Sequence, residues 1–212
     1  MIKIPTLFVR DPAKQFRVIP QLTLGCDWVL EGLGFPTVKI DGQTIKVLNG
    51  EIYRKLRPAD GTHEAAYVKV LEGDQEYPYL KEAFEACRAR AATQHVPDGI
   101  YEAFGPKIAG NHHGCETHNM IRIAPVSSLL LSNIADGAGI VRGPGVTVER
   151  LFDSIQKALE DSPDIEGIVW HREERATLIA AAKIKRKDFG LPWPAPMVKD
   201  PPAAGIILAG VV

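Results

Sequence analysis

The chain has 212 residues, 45% hydrophobic and 24% charged, with a formal net charge of −1 and a mean hydropathy of −0.05. That length can bury a substantial core as one large domain, and the composition excludes a collagenous or low-complexity chain. The near-neutral balance excludes a global pull toward nucleic acid or membrane. Any polyanion must be met by local patches such as Arg54, Lys55 and Arg57, or Lys183 to Lys187.

Three cysteines, Cys26, Cys87 and Cys115, are an odd number at irregular spacing, which argues against a disulfide framework and for a reducing cytoplasm. Lys3, Arg10 and Asp11 interrupt the apolar residues of the N-terminus, so no secretory leader is expected. The apolar run Ala203 to Val212 falls short of the ~20 residues that span a bilayer and is expected to be a last buried strand.

In chain order, residues 37 to 56 read as a tight antiparallel meander. Its strands are Thr37 to Ile40, Thr44 to Leu48 and Glu51 to Leu56, joined by Asp41-Gly42 and Asn49-Gly50 turns. A strand is expected over Tyr67 to Leu71, then a helix from Pro78 to about Thr93 with Leu80, Ala83, Phe84, Cys87 and Ala91 on one face. Gly99 to Phe104 and Met120 to Ala124 read as strands, separated by a loop rich in Gly, His and Asn. The clearest helix is Val148 to Glu160, with Thr147 as N-cap and an apolar stripe of Val148, Leu151, Phe152, Ile155 and Leu159. Gly167 to His171 and Leu178 to Lys185 read as strands, and the proline-rich tail from Leu191 as a covering segment. The class expected is α+β, mostly antiparallel sheet with packing helices in a single domain.

Several residues carry chemistry if the fold gathers them. A nucleophilic lysine needs its pKa lowered by burial or nearby cations. Lys183 and Lys185 alternate on one strand and so project from one face, where they can lower the pKa of Lys39 and hold phosphate oxygens. Asp41, Glu102 and Glu166 supply the hard oxygen donors that Mg²⁺ takes beside a phosphate. Taken singly, each of these is more simply an exposed surface residue. His112, His113, Cys115 and His118 are zinc-ligand types, but their spacing matches no common zinc module and reads as a polar loop.

In order along the chain, these segments resemble the signature of the covalent nucleotidyltransferase superfamily, the polynucleotide ligases and mRNA capping enzymes. Lys39-Ile40-Asp41-Gly42 is similar to motif I, Arg54 to motif Ia and Tyr101 to Gly105 to motif III. Glu166-Gly167-Ile168-Val169 is similar to motif IV and Lys183-Ile184-Lys185 to motif V. Lys3 to Phe8, Gly105 to Asn111, Glu166 to His171 and Gly190 to Pro194 further resemble the RNA ligase 1 family of 5′-to-3′ RNA ligases. The resemblance covers about residues 3 to 194. It departs in Met120-Ile121-Arg122-Ile123, where members carry a base-stacking aromatic, and in lacking an appended OB-fold or helical C-terminal domain over residues 1 to 212.

The resemblance implies an ATP-grasp-like adenylation domain that uses ATP with Mg²⁺, or Mn²⁺ in its place, to join RNA ends bearing a 5′-phosphate and a 3′-hydroxyl. Lys39 would be the catalytic nucleophile. Val38 (through its backbone), Arg54, Glu102, Lys183 and Lys185 would bind the nucleotide, and Asp41, Glu102 and Glu166 would serve the metal. RNA would be held by the domain itself or by an accessory RNA-binding partner, with no membrane involved. A capping-type guanylyltransferase and a non-catalytic RNA-end binder on the same scaffold remain alternatives.

Overall fold

The computed structural model describes residues 4–56, 66–91, 93–124, 139–174 and 177–194. The expected C-terminal strand Ala203 to Val212 and Arg57 lie outside them. The chain is α+β, with ten strands in three antiparallel sheets among the described residues. It divides into two compact units, one within residues 40–127 and the other formed from 4–39 and 128–207. No helix among the described residues is long and apolar enough to cross a membrane.

The first unit is built on a five-stranded sheet. Its strands are β4 (Gln43–Leu48), β5 (Glu51–Lys55), β6 (Tyr67–Lys69), β7 (Gly99–Phe104) and β8 (Asn119–Ala124), in the order β6-β5-β4-β7-β8. Helix α2 (Tyr77–Arg90) covers one face. Its Leu80, Ala83 and Phe84 pack on Ile45, Val47, Tyr101, Ala103 and Met120, which alternate inward along their strands. Asn49 and Gly50 both take positive φ, 52° and 73°, as a two-residue hairpin turn demands.

The Asp41-Gly42 expectation is corrected. It joins no hairpin, because β4 pairs with β5 and β7, whereas β3 (Phe35–Lys39) belongs to another sheet. Gly42 serves a close approach instead: a Cβ there would lie 2.3 Å from the Ala103 carbonyl oxygen of β7.

The second unit carries the three-stranded sheet β10-β9-β3, with β9 spanning Gly167–Glu174 and β10 Thr177–Lys185. Two strands without an alternating pattern, β1 (Phe8–Asp11) and β2 (Arg17–Leu22), form a separate hairpin that the sequence reading missed. The chain before β1 runs along β10, where Leu7 N–H donates to the Lys183 carbonyl and Lys183 N–H to that of Pro5. After β2 comes a one-turn helix, α1 (Asp27–Leu30).

Helix α3 (Val148–Asp161) starts where Thr147 accepts the Arg150 N–H, as its N-cap position requires. Its Leu151, Ile155, Ala158 and Leu159 are buried, and Phe152 meets Phe8 and Phe189 edge-on at 5.0 Å. The buried Arg186 guanidinium donates to the carbonyls of Leu159 and Ser162, satisfying groups that the helix end leaves open.

Candidate active site

Register decides what the three-stranded sheet presents. Val38, Ile168 and Ile184 lie opposite one another, as do Pro36, Trp170 and Ala182, and these two rows are buried. The alternate residues share the other face. One row on it is Lys39, Gly167 and Lys185, and the next is Thr37, Val169 and Lys183. Three lysines therefore stand on one side of three strands, and the glycine between two of them lets the backbone of β10 approach closely.

Glu166, the residue before β9, is only 4% exposed. Its Oε2 lies 2.5 Å from Lys39 Nζ, and its Oε1 accepts from Lys185 Nζ. One carboxylate thus bridges the lysines of β3 and β10. Lys183 has no such partner: no carboxylate forms an ion pair with it among the described residues. Burial first, then the charges of Lys185 and Lys39, depress its pKa to about 8, with Asp188 opposing and Arg10 adding to the fall.

Behind Lys185, the 3-10 turn Arg186–Phe189 carries Asp188, 3% exposed. Its Oδ2 accepts the Lys185 N–H at 2.9 Å, and its Oδ1 lies 2.5 Å from Arg10 Nη2. Farther along the same face, Thr37 Oγ1 donates to the Val169 carbonyl and meets His171 Nε2 at 3.0 Å. Burial pushes the His171 imidazole down to about 4, so at neutral pH it is uncharged. With the Thr37 hydroxyl proton directed at Val169, His171 must donate from Nε2. Val38 turns its side chain to the core, so only its backbone can serve a ligand, on a strand that forms one edge of its sheet.

The first unit carries the remaining expected residues. Glu102 of β7 is 8% exposed, on the face away from α2, and accepts the Thr44 hydroxyl at 2.9 Å. Ile121 lies beside it in register. Tyr67 stands near: its hydroxyl is buried with no hydrogen-bond partner among the described residues, and burial, then Glu102, raises its pKa. Arg54 pairs in register with Ile45, which puts it on the α2 face, 3.9 Å from Glu76. Lys55, one residue on, faces the side of Thr44 and Glu102.

Asp41 receives His112 Nδ1 at 2.7 Å on its carboxylate and gives its backbone N–H to His113 Nε2 at 2.8 Å. His118 Nε2 accepts the Lys107 N–H, so Nδ1 carries the proton directed at Glu82. These histidines hold a loop in place, and among the described residues no group of three or more His, Cys, Asp or Glu is arranged to hold a metal.

The structure therefore unites Lys39, Glu166, Lys183 and Lys185, which sequence reasoning named. It adds Arg10, Asp188, Thr37 and His171 in the second unit and Tyr67 in the first. Arg10 and Asp188 are 178 positions apart, and no local pattern marks either as a partner of the other. The chain matches no family model, and no curated protein matches it.

Proposed function

We propose that this protein is an ATP-dependent RNA ligase working through a lysyl-AMP intermediate on an ATP-grasp-like nucleotidyltransferase fold. The observation that carries the reading is the Glu166 carboxylate bridging Lys39 and Lys185, beside a half-buried Lys183 that forms no ion pair among the described residues. A purely structural sheet gains little from three half-buried lysines on one face, because removing cations from water is costly. A site that receives a polyphosphate needs that arrangement.

Lys39 Nζ, having lost a proton to the adjacent Glu166 carboxylate or to water, attacks the α-phosphorus of ATP. A P–N bond forms, the bond between the α-phosphorus and its bridging oxygen breaks, and pyrophosphate departs with the charge held by Lys183 and Lys185. A 5′-phosphate oxygen of RNA then displaces the lysine to give an adenylylated end. A 3′-hydroxyl finally attacks that end, sealing the strand and releasing AMP.

Glu166 has the hard-oxygen chemistry that Mg²⁺ or Mn²⁺ takes, and Asp41 and Glu102 offer the same donor type. A cation held by any one of them would offset charge on the phosphate oxygens. Glu102 is proposed to contact the nucleotide and the Val38 backbone its base, whereas Arg54, on the opposite face of its sheet from Glu102, takes no part in that contact. The RNA ends are bound by the chain or with an accessory partner.

The test is incubation with α-labelled ATP or GTP and Mg²⁺, followed by a denaturing gel. A covalent label from ATP that disappears in Lys39→Ala is expected. Label from GTP alone would point to a capping-type guanylyltransferase, and no label from either would remove the enzyme reading.

A further inference from the structure

Arg10 has no part in the mechanism above, yet it reaches the same centre. It lies on β1, and the residues just before that strand bond to the backbone of Lys183. Its guanidinium meets the buried Asp188 carboxylate, whose second oxygen holds the Lys185 N–H. One acid thus couples Arg10 to the strand that carries both late lysines. At 41% side-chain exposure the guanidinium is still open to a ligand, and Asp188 occupies only one of its nitrogens. The positive charge of Arg10 also adds to the fall in the Lys183 pKa, which puts the guanidinium within electrostatic reach of that ammonium. Two cations held that close together suit an anion carrying more than one charge.

We infer that Arg10 is a phosphate-binding residue, gripping the outer phosphate of an anion seated on Lys183, a role that rests on the function proposed above. The planar fork suits phosphate, and the brace from Asp188 sets its orientation before the ligand arrives. The same chemistry comes from two sources, the pyrophosphate end of the nucleotide and the 5′-phosphate of an RNA end.

Calorimetric titration of the full chain with inorganic pyrophosphate, and with a short RNA bearing either a 5′-phosphate or a 5′-hydroxyl, separates them. Arg10→Gln is expected to weaken pyrophosphate binding ~tenfold, the loss of one charge-assisted hydrogen bond, and Arg10→Lys to recover part of it. A loss confined to the 5′-phosphorylated RNA assigns the residue to the RNA end and supports the inference equally. Unchanged binding of both in Arg10→Gln, whether or not its melting temperature falls, would mean that Arg10 merely neutralises Asp188, and would overturn it. Absence of any pyrophosphate or 5′-phosphate binding by the unaltered protein overturns it too. Failure of the two readings is distinguishable. A pyrophosphate affinity that depends on Arg10 in a protein that never labels on Lys39 retains this inference and discards the ligase. A normal label with Arg10-independent binding of both phosphates does the reverse.

Discussion

Lys183 shows at the scale of one residue what the site costs the fold. Its folded-state pKa of about 8 lies below the ordinary 10.5, so between those values the unfolded chain holds a proton that the folded chain has released. Stability from this residue therefore rises with pH across that window, and below about 8 the full penalty of a buried ammonium applies. Replacing it by methionine is expected to stabilise the protein at pH 7 while abolishing Lys39 labelling. Urea unfolding at pH 7 and pH 10 should show the advantage of Lys183→Met shrinking at the higher pH, and an advantage independent of pH would contradict the assignment. That Lys183 and Lys185 share a face was legible because residue type and spacing along a single strand are local properties. The parts played by Arg10 and Asp188 were not, since an ion pair formed across most of the chain leaves no trace in either neighbourhood.

Among the elements, β9 is the critical one, because it lies between the strands that carry the lysines. At Gly167 a Cβ would meet the Ile184 carbonyl oxygen at 2.1 Å, a backbone atom that cannot swing aside. Gly167→Ala is expected to push β9 and β10 apart, at a cost of about 3 kcal/mol and roughly 10 °C in melting temperature. Thermal unfolding followed by circular dichroism measures this, and a melting temperature within about 2 °C of the unaltered protein would show that the strands tolerate the contact. Most strands and both long helices follow from periodicity, with α3 and its Thr147 cap the plainest case. Asp41-Gly42 misled because Asp-Gly marks both a hairpin turn and a place where backbone must pass close to backbone. Only the partner strand, β7 rather than β3, separates those uses. Likewise Arg54 and Lys55 are equivalent basic residues until pairing with Ile45 assigns them to opposite faces.

For the molecule as a whole, a net charge of −1 means that no long-range field draws RNA to the surface. Binding should rest on a few local contacts. The affinity for 5′-phosphorylated single-stranded RNA is expected to fall with salt at a log-log slope of about −2, the value for roughly three phosphates neutralised. A slope near zero, or one of about −5 or steeper, would mean that the lysine face is not the RNA contact or is a minor part of it.

Strand and helix formation, the α+β class and the candidate lysines and acids were determined by the sequence itself, since they depend on alternation, capping and residue chemistry within a few positions. The division into two units, the transfer of the chain from one sheet to another after Lys39, and the union of Arg10, Glu166 and Asp188 with the lysines were decided only by tertiary structure. The physical reason is that strand pairing and ion pairs join groups distant along the chain, and which groups meet depends on how apolar faces are buried together rather than on any one segment.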